Sequence, residues 1–179
     1  DKPQGRKLVL TPNVVKTWAE GKGIECLTPA KLDDSEFIYK LQASSCQLFL
    51  VVAYGKILKK EIFDIPKHKT LNIHPSLLPK YRGASPMISQ ILNDEKEVGT
   101  SIMMIDEGMD TGDVVAQKKV EFSNWPVSII EMERVMAKES AMLFSEIISD
   151  YLEGKIEPKK QDDSLATQCG KVEKEDGLL

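Results

Sequence analysis

The sequence predicts an α/β fold with a mostly parallel sheet, and three observations carry that expectation. Residues 46–53 form an apolar run with no alternation, as a strand buried on both faces of a parallel sheet requires. Residues 70–74 form a second strand that stops at Pro75. Helical patterns alternate with these strands along the chain, and no tract is repeated or of low complexity.

Thr11-Pro12 has the form of an N-cap followed by proline at the first helical position, and Val14, Val15, Trp18 and Ala19 supply an apolar face before Gly21 and Gly23. A second helix is predicted from Asp33-Asp34, whose carboxylates suit the positive end of a helix, with Phe37, Ile38 and Leu41 as its stripe. Residues 57–62 read as a short amphipathic helix and 86–92 as a helix opened by Pro86. Residues 100–105 and 114–120 read as strands, and the acidic segment 106–113 between them fits an antiparallel hairpin at the sheet edge. Residues 127–152 read as a long helix with Ile130, Arg134, Ala137, Ala141, Phe144 and Ile148 along one side. Trp18 and Trp125 are expected to pack, and His68 to be a solvated loop histidine.

With 179 residues, 41% apolar and 29% charged, the composition is that of a globular domain rather than a disordered chain. The longest apolar run, 48–53, is far short of the roughly 20 residues a membrane span needs. Cys26, Cys46 and Cys169 are odd in number and widely spaced, with two histidines in the chain, which argues against a disulfide scaffold and a structural zinc site and for reduced thiols. Net charge is −4, yet residues 1–82 carry 14 Lys/Arg against 8 Asp/Glu and the remainder 10 against 20. A basic half of that kind attracts polyanions.

The chemistry concentrates in two places. Strand alternation puts Asn72 and His74 on one face, with Leu71 and Ile73 on the other. An imidazole moves protons near neutral pH and an amide N–H holds an oxyanion, which is what acyl-type transfer needs. A histidine satisfied by loop carbonyls is the alternative, and both readings stand at this point. The second place is the run Asp106-Glu107-Gly108-Met109-Asp110-Thr111-Gly112-Asp113, a loop whose carboxylates can orient and charge a histidine. Its spacing does not match a calcium-binding EF-hand. Between them, residues 76–86 combine a hydroxyl, prolines and cations with Gly83 ahead of a helix, but there is no nucleotide P-loop and no G-x-G-x-x-G. No metal site is expected.

Taken together, Asn72-Ile-His74-Pro-Ser76-Leu-Leu-Pro79-Lys-Tyr-Arg82-Gly83-Ala-Ser-Pro86 and Gly108-Met-Asp110-Thr111-Gly112 resemble the 10-formyltetrahydrofolate-dependent formyltransferases. Within that family the opening Asp1-Lys2-Pro3-Gln4-Gly5-Arg6 with Leu10-Thr11-Pro12 is similar to the basic loop of the members that act on methionyl-tRNA, and residues 51–58 are similar to their next core strand and turn. The resemblance implies a Rossmann-like three-layer formyltransferase fold whose first strand-helix-strand unit is missing from this chain. It implies a catalytic domain over residues 1–163 and, over 164–179, a linker toward an absent C-terminal tRNA-binding domain.

The family's catalytic residues fall on Asn72, His74 and Asp110. Those contacting 10-formyltetrahydrofolate fall on Ser76, Leu77, Leu78 and Pro79, with Tyr54 and Gly55 edging the pterin pocket. Contacts to initiator methionyl-tRNA fall on Lys2, Arg6, Lys7 and Arg82. The resemblance implies a monomer in the cytoplasm or an organellar matrix, and Pro79 is a position where a cis bond would turn the chain into the site. Relatives that formylate a sugar nucleotide or glycinamide ribonucleotide, or that hydrolyse the folate, keep the same three catalytic residues. The loop at residues 1–12 favours the tRNA branch over these, and a non-catalytic folate-binding module, which the missing first unit would fit, stands as the alternative from another class.

Overall fold

Local side-chain caps decide where the first helices begin in the structure, a computed structural model that describes residues 2–4, 9–11 and 13–177. Its chain divides into two units, Asp1–Lys40 and Leu41–Leu179. In the first, β1 (Lys2–Gln4) pairs antiparallel with β2 (Val9–Thr11), and α1 (Val14–Gly21) follows. The cap of α1 is Asn13, whose side chain accepts from the Val15 amide at 2.8 Å, and not Thr11, which is already part of β2. Trp18, expected to pack, is 61% exposed. At the second helix, α2 (Ser35–Ala43), Asp34 Oδ1 accepts from the Phe37 amide at 2.9 Å, as the acidic start predicts.

In the second unit the strands β3 (Phe49–Val52), β4 (Thr70–His74), β6 (Gly99–Met104) and β7 (Val114–Lys119) form one sheet in the order β3-β4-β6-β7. The short pieces α3 (Lys60–Phe63), β5 (Arg82–Gly83) and α4 (Pro86–Leu92) lie between them in the chain. The α/β class is as predicted, and its sheet is mixed. β3 and β4 are parallel, whereas β4–β6 and β6–β7 are antiparallel, the latter being the expected edge hairpin. A second small sheet joins β5 in parallel to β8 (Gln168–Cys169). Residues 168–169, which the resemblance assigns to a linker, are therefore hydrogen-bonded into this unit.

One helix, α5 (Ile129–Leu152), covers one face of the sheet. Leu71, Ile102 and Val115 pack there against Leu143 and Tyr151, and Met132 and Met136 pack against Val98, Val120 and Val127. The buried stripe is thus Met132, Met136, Ser140, Leu143 and Tyr151. Ile130, Arg134, Ala137 and Ala141, expected to face inward, are exposed, because the apolar set Met132, Met136 and Leu143, at i, i+4 and i+11, wins the larger contact. β3 is not buried on both faces. Leu50 and Val52 are 38% and 56% exposed. They pair with Leu71 and Ile73 and so point to the α5 side, where α5 reaches β6 and β7. The helix expected at 57–62 begins only at Lys60, leaving Ile57 exposed.

Candidate functional site

Leu71 and Ile73 anchor β4 to the core under α5, so alternation turns Asn72 and His74 to the opposite face. His74 is 4% exposed. Its Nε2 lies 2.8 Å from the carbonyl oxygen of Tyr81, an atom that only accepts, so Nε2 carries the hydrogen and Nδ1 is left to take a proton. That Nδ1 faces Asp110 Oδ2 at 3.6 Å. Burial pushes the imidazole pKa below its ordinary value, against the smaller opposing pulls of the Asp110 charge and the Tyr81 carbonyl. His74 is accordingly neutral at pH 7 and can act as a base.

The route by which Asp110 arrives follows from strand direction. β6 runs antiparallel to β4 with Met104 beside Leu71, so the loop after β6 leaves the sheet at the far end of β4 from His74. To bring Asp110 to His74 it folds back along the face that carries Asn72. Asn72 therefore lies between the root of the loop and the His74–Asp110 contact. Its amide makes no hydrogen bond to another described residue, whereas His74 and Asp110 are both held, so a donor is available on that face.

Asp110 itself sits at φ +54°, a left-handed conformation that costs a non-glycine residue free energy and needs support. Support comes from three directions. Its Oδ2 accepts from the Gly83 amide at 2.9 Å, and its carbonyl accepts from Gln161 Nε2 at 3.0 Å. The same Nε2 donates to the Gly112 carbonyl at 2.7 Å, while Asp106 Oδ1 accepts from Thr111 Oγ1 at 2.7 Å across the base of the loop. Gly83 is required here: at φ +124° a Cβ would overlap the Cys169 carbonyl with which its strand pairs.

The structure places the other expected residues as follows. Ser76 is buried and its hydroxyl is spent on the Lys80 carbonyl at 2.6 Å. Leu78 is 5% exposed, its amide donating to Ser101 Oγ at 3.0 Å and its carbonyl accepting from Gln117 Nε2 at 2.8 Å. Leu77 and Pro79 are half-buried, and the Leu78-Pro79 bond is cis. Tyr54 is 44% exposed beside Gly55, which has φ +69°. Arg6 and Lys7 lie outside the described residues, and Lys2 is described as part of β1.

Arg82 corrects its expected role. It is 4% exposed, donates through Nε and Nη2 to Gln161 Oε1 at 3.0 and 2.9 Å, and pairs with Asp163 at 2.8 Å. Its charge is committed inside the unit, so it is an internal brace and not a phosphate contact. Tyr81 and Gln161 were not singled out by sequence. Tyr81 contributes a carbonyl and Gln161 sits in the polar run 157–163, and neither position carries a chemical signal in one dimension.

A cleft of about 490 Å³ lies elsewhere, between α3 and the start of the same loop, lined by Lys60, Phe63, Asp64, Lys69 and residues 104–108. Asp64 pairs there with both Lys69 and Lys60, whose hydrogen bonds, with their charges, hold its carboxyl below the usual range. Among the described residues no helix is long and apolar enough to cross a membrane, and no cluster of His, Cys, Asp or Glu has the arrangement of a metal site.

Residues 1–148 match the family model described as formyl transferase. A methionyl-tRNA formyltransferase of Citrifermentans bemidjiense is 37% identical over 183 residues, and one of Campylobacter lari 41%, each aligned to 100% of this chain. The chain spans 56% and 58% of the length of those two relatives. Among solved structures, an N-formyltransferase from Helicobacter canadensis in complex with folinic acid and dTDP-3-aminofucose aligns with a TM-score of 0.69 at 25% identity, covering 86% of this chain and 53% of that one.

Proposed function

The chain belongs to the formyl transferase family, and from that premise we propose that it is the catalytic part of an enzyme that moves a formyl group from 10-formyltetrahydrofolate to the α-amine of methionyl-tRNA. The observation that carries this reading is the buried His74–Asp110 pair, with its proton-accepting Nδ1 directed at the carboxylate, on the sheet face that also bears the amide of Asn72. Folate as the donor draws support from the folinic acid named with the Helicobacter canadensis relative, and methionyl-tRNA as the acceptor from the names of the relatives at 37% and 41% identity.

In this reading the acceptor amine attacks the formyl carbon and the carbonyl electron pair moves onto oxygen, where the Asn72 amide donates to it. The amine becomes cationic and loses a proton to His74 Nδ1. The imidazolium so formed lies beside the Asp110 carboxylate, which stabilises it. Collapse of the intermediate re-forms the carbonyl and expels the folate N10, which takes up the proton held by His74. The formyl group has then changed nitrogen, and histidine returns to its neutral form. Leu77, Pro79, Tyr54 and Gly55 are the residues proposed to edge the folate, and Lys2, Arg6 and Lys7 those proposed to approach the acceptor phosphates.

The rival acceptor is an aminosugar nucleotide, favoured by the dTDP-3-aminofucose named with the Helicobacter canadensis structure. Assay of the full-length protein with 10-formyltetrahydrofolate and each acceptor separates them. Turnover of methionyl-tRNA without turnover of a nucleotide aminosugar is the expected result, and the reverse pattern rejects the tRNA reading.

A further inference from the structure

Gln161 lies beyond the residues that match the family model, yet it makes four hydrogen bonds at the rim of the site. Its Nε2 donates to the carbonyls of Asp110 and Gly112, and its Oε1 accepts twice from the Arg82 guanidinium. The side chain is 8% exposed. Asp110 occupies a strained left-handed conformation, and both carbonyls fixed by Gln161 belong to the three residues centred on Thr111. The amide therefore fixes the backbone on which the Asp110 carboxylate is mounted.

We infer that Gln161 is a positioning residue for formyl transfer, holding Asp110 so that its carboxylate meets His74 Nδ1. Arg82, itself anchored by Asp163, orients the Gln161 amide so that its nitrogen and not its oxygen faces the loop: a guanidinium only donates, which forces Oε1 toward Arg82. Released from Gln161, the loop keeps the Gly83 amide as its hold on the carboxylate but loses the two bonds that fix its backbone. Displacement of a reacting group by about 1 Å costs up to about 10²-fold in rate.

This inference rests on the proposed roles of His74 and Asp110, and the test separates the two. In the full-length enzyme, Gln161→Leu removes both halves of the contact. Gln161→Glu keeps an acceptor for Arg82, which protects the fold, and removes the donors to Asp110 and Gly112. Each is measured alone and combined with Asp110→Asn. The expected result is a kcat lowered by roughly 10- to 100-fold in both single variants with KM changed less than about threefold. In the Asp110→Asn background, either Gln161 substitution then costs less than about threefold more, because the group it positions is already gone.

A second readout belongs to Gln161→Leu. With the carboxylate displaced from Nδ1, His74 loses a charge that raises its pKa, so the acid limb of kcat/KM moves to lower pH. A kcat within about threefold of wild type, or an equal loss in the Asp110→Asn background, overturns the role of Gln161 while leaving Asp110 catalytic. If Asp110→Asn alone retains its rate, the reading of the site fails and the inference falls with it.

Discussion

His74 is held neutral by burial where the proposed transfer calls for a base, and the sign of that effect gives a pH dependence. Its pKa lies below the roughly 6.5 of an exposed imidazole, so the acid limb of kcat/KM for formyl transfer should have its midpoint below pH 6.5. A midpoint at or above that value contradicts burial as the dominant influence. Stability follows the same sign: the unfolded chain binds the His74 proton more readily than the folded one. The stabilisation is present above about pH 6.5 and is lost as pH falls from there through the folded pKa. At this scale the sequence singled out Asn72, His74 and Asp110 as candidate groups and was silent about what holds them. Asn72 and His74 share a face because strands alternate, which needs no structure to see. That a backbone carbonyl from Tyr81 sets the histidine tautomer, or that Gln161 clamps the Asp110 loop across 51 positions of chain, depends on long-range packing that no local pattern records.

Among elements, α5 does most to hold the sheet in the shape that carries the site. Leu143 is 6% exposed and packs against the cluster of Leu71, Ile102, Val115 and Tyr151, so Leu143→Ala should destabilise the protein by about 2–5 kcal/mol. Thermal unfolding measures this, and a loss below about 1 kcal/mol would place the core elsewhere. The limits of β4 and α4 were legible to the residue, since Pro75 ends one and Pro86 opens the other. The inward stripe of α5 was not. Met132, Met136 and Ser140 face the core, and a stripe counted from Ile130 is offset by about half a turn from the one counted from Met132. The strand 46–53 misled in the same way, because an unbroken apolar run says that both faces are apolar and not that α5 extends as far as β3.

For the molecule as a whole, the charge asymmetry of the sequence is softened by folding. In the second unit Lys60 and Lys69 pair with Asp64, Lys80 with Glu95 and Arg82 with Asp163. The lysine pairs, at the surface, add little stability, but they and the pair of the buried Arg82 remove cations from the count available to a polyanion. The C-terminal stretch is likewise part of the body up to β8: the Thr167 carbonyl accepts from the Arg82 amide at 2.9 Å, and Thr167 Oγ1 accepts from the Tyr81 amide at 2.8 Å. These bonds fix the residues whose backbone atoms hold His74 and Asp110, so the site is assembled from segments more than 80 positions apart in the chain. Formyl transfer by the full-length protein from 10-formyltetrahydrofolate to methionyl-tRNA, compared among wild type, His74→Ala and Asp110→Asn, addresses that assembly directly. General acid-base groups contribute roughly 10² to 10⁴, and each substitution should lower kcat by that factor without loss of fold. A decrease of less than tenfold in either folded variant would contradict the assignment of proton transfer to this pair.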